Sequence, residues 1–265
     1  MSVAELLAAL WQDYTAITPL AERIHVLLAD RGEEVVNDHV ALRTYGAAGI
    51  GIAALARPFE ALGWVARDRY RFDDKKLVAR YWQHADPRLP KVFISELCVT
   101  ELSLSSQQII DRLLVQIPTG FAARADLPWA GRPWRIRLAE YESLLRESEY
   151  AAWVGAFGLR ANHFTVSANA LTTFPDLAAL DAFLVEHGFH LNDSGGTIKG
   201  TRADCLEQSS TRAEPIAVDF ADGRRAIPSG YYEFAKRYAL PSGELFHGFV
   251  PASADKIFES TDAES

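Results

Sequence analysis

Several protein classes are excluded by what this chain has little of. Its 265 residues hold two cysteines, Cys98 and Cys205, with no CxxC spacing. That argues against a disulfide framework and suits a reducing compartment. No run of about 18 apolar residues occurs, which excludes a membrane-spanning helix. Met1 to Leu10 lacks the basic start and cleavage pattern of a secretory signal, so the expected location is the cytoplasm. Positive charge is in deficit: 27 Lys and Arg against 35 Asp and Glu give a formal net charge of −8. A broad nucleic-acid surface, which works by neutralising phosphates, is therefore not expected. GxSxG, HExxH, Walker and GxGxxG motifs are missing, and with them the usual signatures of triad hydrolases, zincins and nucleotide-binding folds. What is there is a globular composition, 49% hydrophobic and 23% charged, in a chain long enough for one or two domains.

Residues 1–35 read as two helices. Ser2 and Glu5 have capping-box spacing, and Leu6, Leu7, Leu10, Trp11 and Tyr14 recur at helical period. Thr18-Pro19 begins a second helix that runs through Leu20, Ile24, Leu27 and Leu28 to Gly32. The pair is expected to serve as packing or as a lid. Residues 36–102 then give a strand at His39–Arg43 and a helix at Ile52–Leu62 that Pro58 should kink. Strand-like runs follow at Trp64–Tyr70, Leu77–Trp82 and Val92–Val99.

The same order returns in residues 161–250. His163–Ser167 is strand-like, and Leu177, Leu180, Phe183 and Leu184 keep helical spacing until Gly188. Strand candidates follow at Thr197–Thr201, Leu206–Ser210, Ile216–Phe220, Arg224–Ile227 and Tyr231–Arg237, with Asp222-Gly223 as a hairpin turn. Aligning His39 on His163 sets Asp38 on Asn162, Val40 on Phe164 and Leu42 on Val166. A matching histidine, strand, helix and glycine stop indicate an internal duplication. Residues 103–160 form a helical, tryptophan-rich insertion, and 251–265 a tail whose end from Glu259 is expected to fray. The whole reads as one α+β domain of two βαβββ-like repeats, forming a curled mixed sheet with added N-terminal and inter-repeat helices.

Of seven histidines, only His39 and His163 begin equivalent strands. A pseudo-twofold would face them across one cavity, and a carboxylate from Glu96, Glu214 or Glu233 would complete a 2-His-1-carboxylate face suited to non-haem Fe(II). Glu96 is the rough counterpart of Glu233 in the first repeat. The plain alternative is that each histidine is a hydrogen-bonded core residue. Arg43 follows His39 by four residues and shares its strand face, about 13 Å further along. From there a guanidinium can hold the far carboxylate of an elongated anion, or form a routine ion pair. The polar run Gln208–Pro215, with Gln208, Ser210 and Arg212, lines a pocket or forms a solvated edge strand.

Asn37–Thr44, Ala161–Val166, Gln208–Pro215 and Gly230–Ala235 together resemble the 2-oxoadipate dioxygenase/decarboxylase family over about residues 5–250. The resemblance implies a vicinal oxygen chelate-like fold, with His39, His163 and Glu233 as metal ligands and Arg43 as the substrate-binding arginine. It also implies Fe(II), O2 and a 2-oxo acid such as 2-oxoadipate, converted to 2-hydroxyglutarate and CO2. An oxygen-independent metal-dependent isomerase, lyase or hydrolase, and a carboxylate-binding protein without catalysis, are the alternatives.

Overall fold

In this computed structural model, which describes residues 1–261, the N-terminal pair forms as α1 (Val3–Ile17) and α2 (Pro19–Asp30). Ser2 and Glu5 close a reciprocal capping box on α1, satisfying two backbone donors that the helix cannot. Leu6, Leu10, Tyr14 and Ile17 turn one buried stripe inward. The Tyr14 hydroxyl reaches across to donate to the backbone carbonyl of Tyr231.

The two repeats take the expected order. The first is β1 (Asn37–Tyr45), α3 (Ile52–Glu60), β2 (Val65–Phe72), β3 (Leu77–Gln83) and β4 (Lys91–Leu97). Pro58, expected to kink or split this helix, stays inside α3, which continues to Glu60. The insertion supplies α4 (Leu104–Leu114), α5 (Leu138–Leu145) and α6 (Glu149–Phe157), the last buried along its whole length except at Glu149. The second repeat runs β5 (Arg160–Ser167), α7 (Leu177–Glu186), β6 (Lys199–Thr201), β7 (Leu206–Ser210), β8 (Pro215–Phe220), β9 (Gly223–Pro228) and β10 (Tyr231–Arg237), followed by α8 (Pro251–Phe258).

Eight strands make one sheet in the order β2-β3-β4-β1-β5-β10-β7-β6. The order is symmetric about the antiparallel β1–β5 seam: β4 beside β1 answers β10 beside β5, both parallel to their neighbours. β8 and β9 depart from the repeat and pair only with each other, as a separate two-stranded hairpin. β8 alternates exposed and half-buried residues and β9 is exposed over its first four, so neither has a continuous apolar face for the main sheet. Helices α1, α2, α3 and α7 pack on one side, against β5, β10, β4, and β7 with β10. Helix α8 crosses the other side, against β2, β6 and β7. The tail is not frayed through Thr261, since Ser260 and Thr261 are buried in a short helical turn; residues 262–265 lie outside the described residues.

Gly230 lets β10 seat against β5. A Cβ there would stand 2.4 Å from the Thr18 hydroxyl and 2.5 Å from the Asn162 carbonyl oxygen. The Thr18 hydroxyl can rotate aside, but the Asn162 carbonyl is β5 backbone and must shift, and overpacking of this kind costs about 1–3 kcal/mol. Gly230→Ala should lower unfolding stability in urea by that amount.

Candidate metal centre

The seam places His39 of β1 and His163 of β5 on one face. His163 pairs with Ala41, two residues along from His39, and Tyr231 of β10 pairs in turn with His163. Glu233, two residues after Tyr231, shares its face by the strand period. The imidazole rings stand 5.5 Å apart at 83°. Glu233 lies between them, with Oε1 3.6 Å from His39 Nε2 and Oε2 3.3 Å from His163 Nε2. One ligand atom from each of the three residues falls within 4.8 Å of the others, and all three are buried. Ligands about 2.1 Å from one cation at right angles stand about 3 Å apart, so the group needs little adjustment to hold a metal.

Each histidine is oriented from behind by the residue before it. Asp38 Oδ1 lies 2.8 Å from His39 Nδ1, and Asn162 Oδ1 lies 3.1 Å from His163 Nδ1. Both contacts favour a proton on Nδ1 and leave Nε2 with a lone pair; at His39 that nitrogen also meets the Thr165 hydroxyl at 3.0 Å. Asp38 is gripped by Arg237, which donates from Nε at 2.6 Å and Nη2 at 2.9 Å. Burial opposes the charge on Asp38, but Arg237 first, then the His39 contact and Lys91, hold its carboxyl well below the ordinary range. Burial, with His39 and Arg43 nearby, keeps the His163 imidazole well below its usual value and therefore neutral. Burial also raises Glu233 against the pull of His39 and Gln208. Two imidazole nitrogens and a carboxylate that burial leaves undercompensated are the donor set a divalent cation satisfies.

Gln208 donates to Glu233 Oε1 at 2.6 Å, while Gln208 Oε1 and Glu233 Oε2 have no hydrogen-bond partner. Arg43, 1% exposed on the same strand face as His39, is packed beyond the cavity at the histidines and does not line it. Its Nη1 meets Glu149 of α6 at 3.1 and 3.2 Å, and its Nη2 donates to Thr261 at 3.1 Å. The rings of Tyr150, Trp153 and Phe258 surround the guanidinium at 5.0–5.6 Å.

Three expected site residues fall elsewhere. Ser210 hydrogen-bonds Ser260 at 2.8 Å, and Arg212, beyond the end of β7, pairs with Asp193 at 2.6 Å; neither lines the cavity at the histidines. Glu214 pairs with Arg23 at the surface. Nor is Glu96 the counterpart of Glu233. The β4 residue opposite Ala41 is Phe93, which occupies that place in the first repeat. Glu96, three residues on, points through the other face and accepts from the Ile52 N–H at the start of α3. Sequence reasoning gave no role to Asp38, Asn162, Glu149, Tyr231 or Arg237. Asp38 and Asn162 were detectable as the residues before each histidine in the aligned repeats.

The cavity at the histidines measures about 20 Å³. His39, His163, Gln208 and Glu233 form its floor, and Phe249, Ala254, Ile257 and Phe258 its cover. A larger hollow of about 830 Å³ opens between α3 and β2–β3. It contains none of the histidines, and Glu96 there already serves the helix start.

A profile of the family described as 2-oxoadipate dioxygenase/decarboxylase matches residues 6–247. The chain is 36% identical over 262 residues to a chloroplastic 2-oxoadipate dioxygenase/decarboxylase of Arabidopsis thaliana, covering 88% of this chain and 70% of that one. It is similar to the crystal structure of an Oryza sativa hydroxyglutarate synthase in complex with 2-oxoadipate: TM-score 0.92, 34% identity, 97% of this chain and 91% of that one. A Shewanella frigidimarina protein, provisionally described as a hydrolase, gives a TM-score of 0.90 at 47% identity over 95% and 98% of the two chains.

Asp38→Asn keeps a hydrogen-bond acceptor behind His39 but removes the charge. Loss of such a partner costs about 10- to 100-fold in metal affinity. Anaerobic calorimetric titration with Mn(II) should show that loss, while Glu96→Gln should leave affinity unchanged.

Proposed function

The chain belongs to the 2-oxoadipate dioxygenase/decarboxylase family, and on that premise we propose that it is an Fe(II)-dependent oxidoreductase converting 2-oxoadipate and O2 to 2-hydroxyglutarate and CO2. The observation that carries this reading is the buried His39–His163–Glu233 group with Arg43 on the same face. When bound, Fe(II) supplies the redox chemistry with O2 and the open positions that side chains lack.

The chain's own residues do the rest. His39, His163 and Glu233 would hold the metal, and the cavity side of the group is where substrate would bind. Arg43 receives the distal carboxylate and fixes the length of acid that fits, a positioning role. Around the centre, Arg43, Lys91 and Arg237 offset Asp38, Glu149 and Glu233 in formal charge. A dication then leaves two positive charges for a dianionic acid to neutralise. This local field, not the acidic surface, attracts the substrate. Phe93, Tyr231, Phe249 and Phe258 wall the cavity and keep water from it. Two free thiols, Cys98 and Cys205, support a reducing compartment, and the cytoplasm is the proposed one.

The cavity of about 20 Å³ holds little more than one water, so a 2-oxo acid enters only when the cover moves. Helix α8 is that cover: it is short, and it is held by buried Ser253, Ile257 and Phe258 and by Asn192, which donates to the Lys256 carbonyl. In amide exchange, residues 251–261 should exchange at least about tenfold faster than β1 and β5, as expected of a locally opening element.

Protein loaded anaerobically with Fe(II) should release one CO2 per 2-oxoadipate on admission of O2. His163→Ala should abolish both Fe(II) retention and release. Equal turnover with and without O2 would instead identify an oxygen-independent metal enzyme.

A further inference from the structure

The substrate-facing wall contains one side chain without a role so far. Tyr231 opens β10 and pairs in register with His163, which pairs with Ala41 of β1. Ala41 lies midway between His39 and Arg43, so a molecule reaching from the metal group to Arg43 passes Tyr231. The Tyr231 ring stacks on His163 at 4.5 Å and 25°, and it lines the cavity. This stacking fixes the ring, and the fully buried side chain offers its hydroxyl in one place.

That hydroxyl has no hydrogen-bond partner among the described residues. The Arg43 guanidinium lies within side-chain hydrogen-bonding reach of the phenol oxygen without completing a well-formed bond, and Arg43 Nε has no partner among the described residues either. An unpaired buried hydroxyl is unfavourable, and phenylalanine would give the same ring contact without that penalty. Tyr232 also has an unpartnered hydroxyl, but its ring packs on Trp11 of α1, across the sheet from the cavity. Tyr45 and Tyr150, the other tyrosines near the end of β1, have their hydroxyls satisfied. Beside Arg43, therefore, two donors remain unused, the Tyr231 O–H and the Arg43 Nε–H. A carboxylate presents two oxygens to receive them.

Resting on the proposed reading of the site, we infer that Tyr231 is a specificity-determining substrate contact, whose hydroxyl joins Arg43 in holding the distal carboxylate of the 2-oxo acid. The assignment differs from a general role in supporting His163. A hydrogen bond to the distal carboxylate distinguishes acids that have one from acids that lack it, whereas support of His163 affects both alike.

The test compares wild type and Tyr231→Phe, each loaded with Fe(II) and kept anaerobic, in calorimetric binding of 2-oxoadipate and of 2-oxohexanoate, which lacks the distal carboxylate. Tyr231→Phe should weaken 2-oxoadipate binding about 10- to 100-fold, the range of a hydrogen bond to a charged group, and leave 2-oxohexanoate within about twofold. Under O2, KM for 2-oxoadipate should rise with kcat largely kept. Equal weakening of both acids, or weakening of neither, overturns the inference while wild type still prefers 2-oxoadipate. Wild type without that preference overturns the substrate reading and the inference together.

Discussion

Antiparallel pairing of β1 with β5 is the constraint on which the rest of the structure depends. Each repeat alone has one histidine on a strand face, and neither forms a site. The seam turns the repeats toward each other, so that His39 and His163 meet with rings 5.5 Å apart. Parallel pairing of β10 to β5 then delivers Glu233 between them. The close approach of Gly230 to Thr18 and Asn162 ties this register to the packing of the N-terminal helices. A core that is continuous across both repeats is therefore also what holds the ligand atoms together.

The duplication supplies the frame and its departures from symmetry supply the chemistry. Phe93 takes the place in the first repeat that Glu233 holds in the second, so one carboxylate, not two, faces the histidines. A second carboxylate in that place would remove one of the two positive charges that attract a dianionic acid. The residues behind the histidines differ in the same way: a carboxylate at Asp38, an amide at Asn162. Asp38 carries its charge in the interior because Arg237 meets it with two hydrogen bonds, and a buried ion pair persists only when so compensated.

The insertion and the tail have more to do with the site than their positions in the chain indicate. Helix α6 brings Glu149, Tyr150 and Trp153 to Arg43, and the turn after α8 brings Thr261. An arginine that would otherwise be an uncompensated buried charge is thus held by one carboxylate, one hydroxyl and three aromatic faces. Among the described residues, its Nε and the Tyr231 hydroxyl lack well-formed hydrogen bonds.

The order of strands and helices in the two repeats was legible in the sequence, because period-2 and period-3.6 patterns are local. So were His39 and His163, since duplication repeats a residue at a fixed place in a local pattern. The choice among Glu96, Glu214 and Glu233 was not legible from the residues themselves. It depends on which strand lies beside which, and on a parity that a shift of one residue reverses. Likewise the β8–β9 hairpin has ordinary strand alternation, and only the completed sheet shows that no edge receives it. Partners such as Asp38 with Arg237, or Arg43 with Glu149 and Thr261, lie 106 to 218 residues apart. By itself the sequence determined the repeated elements and the residue types able to bind a metal and an acid. Tertiary structure alone decided which of those residues meet, because burial and strand register act between segments that no local pattern relates.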